Sequence, residues 1–162
     1  STTAAIVVKL QPGDPARTNF AYMRSGRVNS VSGPEGLPLT KPPYARITAV
    51  DLNTGDHLWM VPNGSGDRVR AQLKELGVPD PGPVGAFGST GPLLTRSLLF
   101  VGHAGEAPVL RVFDKKTGAV IHEIPLPERP GGTPMTYVSG DKQYISIAIG
   151  QGPTAGLVTL GL

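Results

Sequence analysis

The sequence predicts an all-β fold built from repeated antiparallel sheets, and three observations lead to this prediction. Glycine (22 residues) and proline (17 residues) are abundant, while charged residues make up only 17% of the 162 positions. Short apolar runs, such as residues 98–101, are separated by clusters of turn-forming residues. An eleven-residue motif occurs twice, with its aspartates at positions 51 and 114, which is an offset of 114 − 51 = 63 residues. Together these features are typical of short strands, tight turns and a repeated unit.

The repeated motif predicts a β-hairpin in each copy. The copy at residues 49–59 reads A-x-D-x-x-T-G-x-x-x-W, and the copy at residues 112–122 has Val in the first place and His in the last. The aspartate can accept hydrogen bonds from turn N–H groups, and the glycine after threonine supplies a positive φ. A spacing of about 60 residues leaves room for four strands in each unit. The turn residues are Asp51, Thr54 and Gly55 in the first copy and Asp114, Thr117 and Gly118 in the second.

Further elements follow from local patterns. Asp67 is a candidate cap for one short surface helix, which Gly77 would end. Proline- and glycine-rich stretches predict loops at residues 11–15 and 32–43. Apolar runs predict strands at residues 3–10, 92–95, 98–101, 134–138, 143–149 and 156–160.

Composition argues against several classes of function. The formal net charge is +3 and the basic residues are scattered, so we expect no nucleic-acid partner. The chain has no cysteine, which excludes disulfides and thiolate metal sites. No stretch approaches the roughly 20 apolar residues of a membrane span, so a signal or membrane anchor is expected upstream of Ser1 if the protein is exported.

An ordered series of segments resembles the C-terminal portion of quinoprotein dehydrogenases, which depend on pyrroloquinoline quinone (PQQ), and is most similar to the membrane-type glucose dehydrogenase branch. The series covers nearly the whole chain. One repeat motif alone would be moderately specific, because other propellers also use Asp and Trp at their turns. The segments are GLPLTKPPY at 36–44, LWMVPNG at 58–64, LLFVG at 98–102, FDKKTG at 113–118, GTPMTY at 132–137 and QYI at 143–145.

The resemblance implies a partial quinoprotein-type β-propeller, with two to three four-stranded antiparallel blades and one short surface helix. We expect a single partial domain over residues 1–162. Residues 1–45 would end one blade and add a loop, residues 46–102 would form a blade with the first motif, and residues 103–162 would form a blade with the second. In this family the motif tryptophan packs between neighbouring blades, a structural role that falls here to Trp59. His122 replaces it in the second copy, so that contact should be smaller or more polar.

The resemblance also implies a PQQ cofactor beside a calcium ion in the complete protein. By position, the catalytic aspartate and the calcium ligands would lie upstream of Ser1, so no catalytic or metal-binding residue is assigned to this chain. Two segments correspond to loops near the cofactor, although both could equally be tight turns between blades. Small residues there let backbone N–H groups approach an anionic cofactor. The candidate residues are Phe87, Gly88, Ser89, Thr90 and Gly91 in one segment and Gly150, Gln151 and Gly152 in the other.

The three histidines are interpreted as structural or solvent-facing. His57, His103 and His122 share no spacing typical of metal ligands.

Two functions remain open. The first is a periplasmic oxidoreductase that oxidises an aldose sugar or alcohol with PQQ and passes the electrons to a respiratory acceptor. The chain alone would then be inactive, and its open blade edges would bind the remainder of the propeller or another copy. The second is a non-catalytic propeller scaffold or outer-membrane assembly factor with similar repeats. The segments at 41–44 and 134–137 favour the first, because repeat likeness alone would not require them.

Overall fold

A computed structural model describes residues 5–86, 90–105 and 107–161, with the backbone alone considered at residues 5–7 and 27–30. The chain divides into two compact units, residues 1–41 and residues 42–162, and each is described by itself. The fold is all-β, with one α-helix in the described residues, which confirms the predicted class. That helix has nine residues, and no helix in the described part of the chain is long and apolar enough to cross a membrane.

The first unit is a two-stranded antiparallel sheet followed by a loop. Strand β1 (Ala5–Pro12) pairs with strand β2 (Tyr22–Val31), with an irregularity in the pairing between Val7 and Lys9. The sequence predicts β1 but not β2. The central residues of β2 are mostly polar or glycine and show no alternation, so they lack the usual strand signal.

The second unit contains three sheets. Strands β3 and β4 form a hairpin, β5 to β8 form a four-stranded antiparallel sheet in sequential order, and β9 to β11 form a three-stranded sheet in the order β11-β10-β9. The bounds are β3 Arg46–Val50, β4 His57–Pro62, α1 Asp67–Glu75, β5 Pro92–Leu94, β6 Leu98–His103, β7 Val109–Asp114, β8 Val120–Pro125, β9 Pro130–Ser139, β10 Lys142–Ile149 and β11 Gly156–Gly161.

The two motif copies form the same hairpin. The first and last motif residues are opposite each other in both, Ala49 with Trp59 and Val112 with His122, and the pairing is irregular immediately after them. In each turn the glycine N–H donates to the aspartate carbonyl, at 2.7 Å for Gly55 and 2.9 Å for Gly118. Both glycines have positive φ, as predicted.

The four-stranded sheet is apolar on both faces. Phe100, Leu110 and Val112 contribute to a core shared with residues of β10 and β11. Leu99, Val101 and Phe113 form a second cluster against β3 and β4. Because alternate residues of a strand face opposite sides, burial on both sides requires the continuous apolar run seen at β6.

Helix α1 begins differently from the sequence prediction. Gly66 is its N-cap, in the left-handed region at φ 72°, and Asp67 is the first helical residue and makes no capping hydrogen bond. Asp67 instead contacts Arg70, at 3.5 Å, and Arg70 also pairs with Asp80. The hydrogen bond from Arg70 lowers the pKa of Asp80 to about 2. Asp67 thus stabilises helix α1 through its negative charge, as acidic groups in the first turn of a helix do.

The four-stranded sheet runs from Pro92 to Pro125, across position 102/103 where the sequence analysis divides two blades. That division would separate β6 from β7, which are paired strand to strand. A repeat gives the spacing of blades but not the residue at which a blade begins. The structure places each motif turn before the last strand of its sheet.

Candidate functional site

Trp59 of β4 lies against the turn of the second motif. Its indole Nε1–H donates to the carbonyl of Lys115 at 3.0 Å. A Cβ added at Gly118 would lie 2.6 Å from Cε3 of Trp59, so the ring covers this glycine closely. Gly118 is buried, whereas the equivalent Gly55 is exposed and has no described atom within 4 Å of such a Cβ. The indole therefore joins the first hairpin to the four-stranded sheet.

Asp114 organises the turn that Trp59 covers. Its Oδ1 accepts hydrogen bonds from the Lys116 N–H at 2.9 Å and from the Thr117 N–H at 2.8 Å. The Thr117 hydroxyl donates to the same oxygen at 2.9 Å. Asp51 makes the corresponding contact with the Asn53 N–H at 2.8 Å. Both aspartates accept bonds from turn N–H groups as predicted.

We expect Asp114→Asn to weaken the protein above pH 4 and to reduce its sensitivity to acid. The backbone N–H of Thr117, followed by its hydroxyl, lowers the pKa of Asp114 below its usual 3.8. A lowered folded-state pKa contributes stability above the unfolded pKa, and this stability is lost as pH falls through the folded value. The difference in urea midpoint between variant and wild type should be constant from pH 7 to about pH 5 and should shrink as the pH falls further below the usual pKa of an aspartate. A constant difference at every pH would contradict the expectation.

The two segments predicted to lie near a cofactor both contact one stretch of chain, the start of β9 and the residue before it. On one side, the Gly91 N–H donates to the Gly132 carbonyl at 2.9 Å, and Thr90 forms a parallel bridge with Gly132. On the other side, the Gly150 N–H donates to the Arg129 carbonyl at 2.8 Å. Residues 129–132 therefore lie between the two segments.

Close packing explains the small residues in both segments. A Cβ added at Gly91 would lie 2.2 Å from Oγ1 of Thr133, and one added at Gly150 would lie 2.1 Å from the carbonyl oxygen of Thr154. Gly150 also has φ 67°. The Thr90 hydroxyl donates to the Gly102 carbonyl. These contacts are those of tight turns at one end of the sheets.

An open cleft of about 340 Å³ lies beside residues 129–131. Its walls come from the β6–β7, β8–β9 and β10–β11 connections. Because successive connections of an antiparallel sheet alternate between its ends, these loops lie opposite the motif turns. The lining residues are Ala104, Glu128, Arg129, Pro130, Gly131, Gly150, Gln151 and Thr154.

His103, the last residue of β6, is buried, and it directly precedes Ala104, which lines the cleft. The imidazole lies between Gly64 and Gly105, since a Cβ added at either glycine would be 2.5 Å from the ring. Its Nδ1 has no hydrogen-bond partner among the described residues. Burial, together with the charge of Arg111, lowers the pKa of His103, so the ring is neutral at pH 7. His57 and His122 are exposed.

Several predicted residues do not line the cleft. Thr90 and Gly91 donate to the carbonyls of Gly102 and Gly132 and lie outside its lining. Phe87, Gly88 and Ser89 lie outside the described residues. Gly152 begins a short 3-10 turn that reverses the chain into β11. Conversely, Arg129 and Glu128 line the cleft and were not predicted. Only the pairing of β9 with β10 brings them there, and nothing in the local sequence indicates that pairing.

Comparison with known proteins gives one matching family, described as "PQQ: Glucose/ethanol/alcohol dehydrogenase, beta-propeller domain", over residues 7–145. The quinate/shikimate dehydrogenase (quinone) of Acinetobacter baylyi is 32% identical over 117 residues, 71% of this chain and 14% of that protein. The glycerol dehydrogenase large subunit of Gluconobacter thailandicus is 34% identical over 119 residues, 71% of this chain and 15% of that protein. Quinoprotein glucose dehydrogenase A of Acinetobacter calcoaceticus is 32% identical over 124 residues, 76% of this chain and 15% of that protein.

The chain therefore spans about a seventh of the length of these relatives. The family match covers both motif hairpins and all of the four-stranded sheet. The Trp59 contact and the repeated turn geometry agree with it. This chain belongs to the β-propeller domain family of PQQ-dependent glucose, ethanol and alcohol dehydrogenases.

Proposed function

We propose that this chain is part of a quinoprotein dehydrogenase that oxidises a sugar or other polyol, and that its cleft forms one side of the substrate and cofactor site. The observation that supports this most is the meeting of two glycine-containing segments at residues 129–132, beside a cleft of about 340 Å³. Ligand sites in proteins commonly have volumes of about 300–1,000 Å³. The relatives named above act on quinate or shikimate, on glycerol and on glucose.

The cleft residues suit an anionic ligand. A Cβ added at Gly150 would lie 2.1 Å from the carbonyl oxygen of Thr154, so this loop requires glycine, and Arg129 supplies a positive charge beside it. A guanidinium is a suitable partner for a carboxylate. When bound, PQQ accepts the two electrons of the substrate, and the protein's part is to bind and orient. The chain's own contribution is to hold these loops through Gly91, Gly132 and the Gly150–Arg129 bond.

The remaining functional elements are assigned to the rest of the protein. We propose that the catalytic aspartate and calcium ligands lie in the other blades, and that the site faces the periplasm and passes electrons to a respiratory acceptor. The outer strands β8 and β11 carry exposed apolar residues, including Ile121 and Leu157. We propose that these edges pair with the other blades, or with a second copy when the chain is alone.

The test is reduction of a redox dye by the full-length protein supplied with PQQ and calcium, with glucose, glycerol and quinate as substrates. We expect dye reduction with at least one of them, and none from residues 1–162 alone. A full-length protein that takes up no PQQ and reduces no dye would favour the non-catalytic scaffold instead.

A further inference from the structure

The cleft contains a cation that the fold does not use. Arg129 is exposed at the end of the β8–β9 connection, and within the described ranges its side chain forms no ion pair or hydrogen bond. The arginines that do have structural roles are paired, Arg70 with Asp80 and Arg111 with Glu123. Among the described residues, the backbone carbonyl of Arg129 accepts a hydrogen bond from the Gly150 N–H at 2.8 Å. Its backbone is therefore fixed while its guanidinium remains available to a ligand.

The surroundings of Arg129 favour an anionic ligand with hydroxyl groups. The cleft is also lined by Gln151, whose amide can hydrogen-bond to hydroxyls, by Thr154, whose hydroxyl donates to the Gln151 carbonyl at 3.1 Å, and by Glu128, which is half-buried. A guanidinium presents a planar fork of donors that matches a carboxylate in two bonds. Glu128 repels an anionic ligand, because like charges repel. Removing the charge of Glu128 should therefore change anion binding in the opposite direction to removing the charge of Arg129.

We infer that Arg129 binds a carboxylate in this cleft, and that the carboxylate belongs to the substrate, which is then a polyhydroxylated carboxylic acid and not a neutral sugar. The inference rests on the proposed function and adds the class of substrate. A carboxylate could also come from the quinone. The exposure of Arg129 at the open mouth of the cleft favours a molecule that enters from solvent with each turnover.

The experiment compares quinate with its methyl ester, an uncharged analogue of nearly the same shape. In the full-length protein with PQQ and calcium, the ratio of kcat/KM for quinate to that for the ester should fall about 10- to 100-fold in Arg129→Gln, the loss expected for a charge-assisted hydrogen bond. The same ratio should rise a few-fold in Glu128→Gln, because a repulsive charge is removed. Arg96→Gln is the matched control, since Arg96 is an exposed arginine in the β5–β6 turn at the opposite end of the sheet. It should leave the ratio unchanged.

A second measurement does not need turnover. Calorimetric binding of quinate to the quinone-free full-length protein should weaken about 10- to 100-fold in Arg129→Gln, and fluorescence titration should give the same PQQ affinity for variant and wild type. Weaker PQQ binding with unchanged quinate binding would assign the carboxylate to the quinone and overturn the inference. Equal loss for quinate and its ester would also overturn it.

The two proposals fail in different ways. If the wild type oxidises glucose or glycerol but neither oxidises nor binds quinate, the substrate class is wrong and the dehydrogenase function stands. If no polyol reduces the dye, the proposed function fails, and the calorimetric titration with quinate still tests Arg129.

Discussion

Replacing Phe113 with alanine should cost about 3–5 kcal/mol of unfolding free energy, the range observed when a large buried aromatic residue is truncated in a core. Phe113 is fully buried in the cluster that joins the four-stranded sheet to the β3–β4 hairpin. It contacts this cluster from the strand that ends at Asp114, so it lies directly beside the turn that Trp59 covers. Loss of the ring would leave a cavity between the four-stranded sheet and the β3–β4 hairpin.

The measurement is urea unfolding of the full-length protein followed by circular dichroism. Phe113→Leu is the matched control, because it keeps most of the apolar volume and should cost about 1 kcal/mol. An alanine variant that unfolds at the same urea concentration as the leucine variant would show that this interface is not a tightly packed core. Val120→Ala, at a half-exposed position of the outer strand β8, should have a much smaller effect.

The motif turns could be predicted from sequence because their chemistry is local. Asp51 and Asp114 satisfy N–H groups two or three residues away, and the glycine four residues after each Asp supplies the positive φ within the same turn. No distant residue needs to be known for either interaction. The same holds for the β9–β10 turn, where Gly140 has φ 59° between paired Ser139 and Lys142.

The candidate site could be predicted only in part, because it depends on contacts between distant segments. Gly91 and Gly150 are 59 positions apart in the chain (150 − 91 = 59), yet both bond to residues 129–132. Gly91 and Gly150 meet there because β9 pairs with β10 and lies beside β5. Local sequence patterns do not indicate which strands become neighbours. The early start of β9 at Pro130 has the same cause, since Pro130 is opposite Ile149 of the partner strand. Arg129 consequently carried no signal in the sequence.

The indole contact can be isolated by comparing two glycines in the same turn position. Gly55 and Gly118 have φ of 80° and 73°, so an alanine at either site carries about 1–2 kcal/mol of left-handed strain. Only Gly118 lies under an indole, with Cε3 of Trp59 at 2.6 Å from an added Cβ. Gly118→Ala should therefore cost about 2 kcal/mol more than Gly55→Ala, because the new methyl group displaces the half-buried ring and its bond to Lys115.

A double-mutant cycle separates this contact from backbone strain. In a Trp59→Ala background no ring remains to be displaced, so Gly118→Ala should then cost no more than Gly55→Ala does. The coupling energy between positions 59 and 118 should be about 2 kcal/mol, and that between positions 59 and 55 should be near zero. Equal costs for the two glycine substitutions in the wild-type background would mean that the ring yields freely, and that Trp59 contributes little to holding the hairpin on the sheet. A coupling at position 118 alone would identify this contact as the one that transmits stability from the first motif to the second.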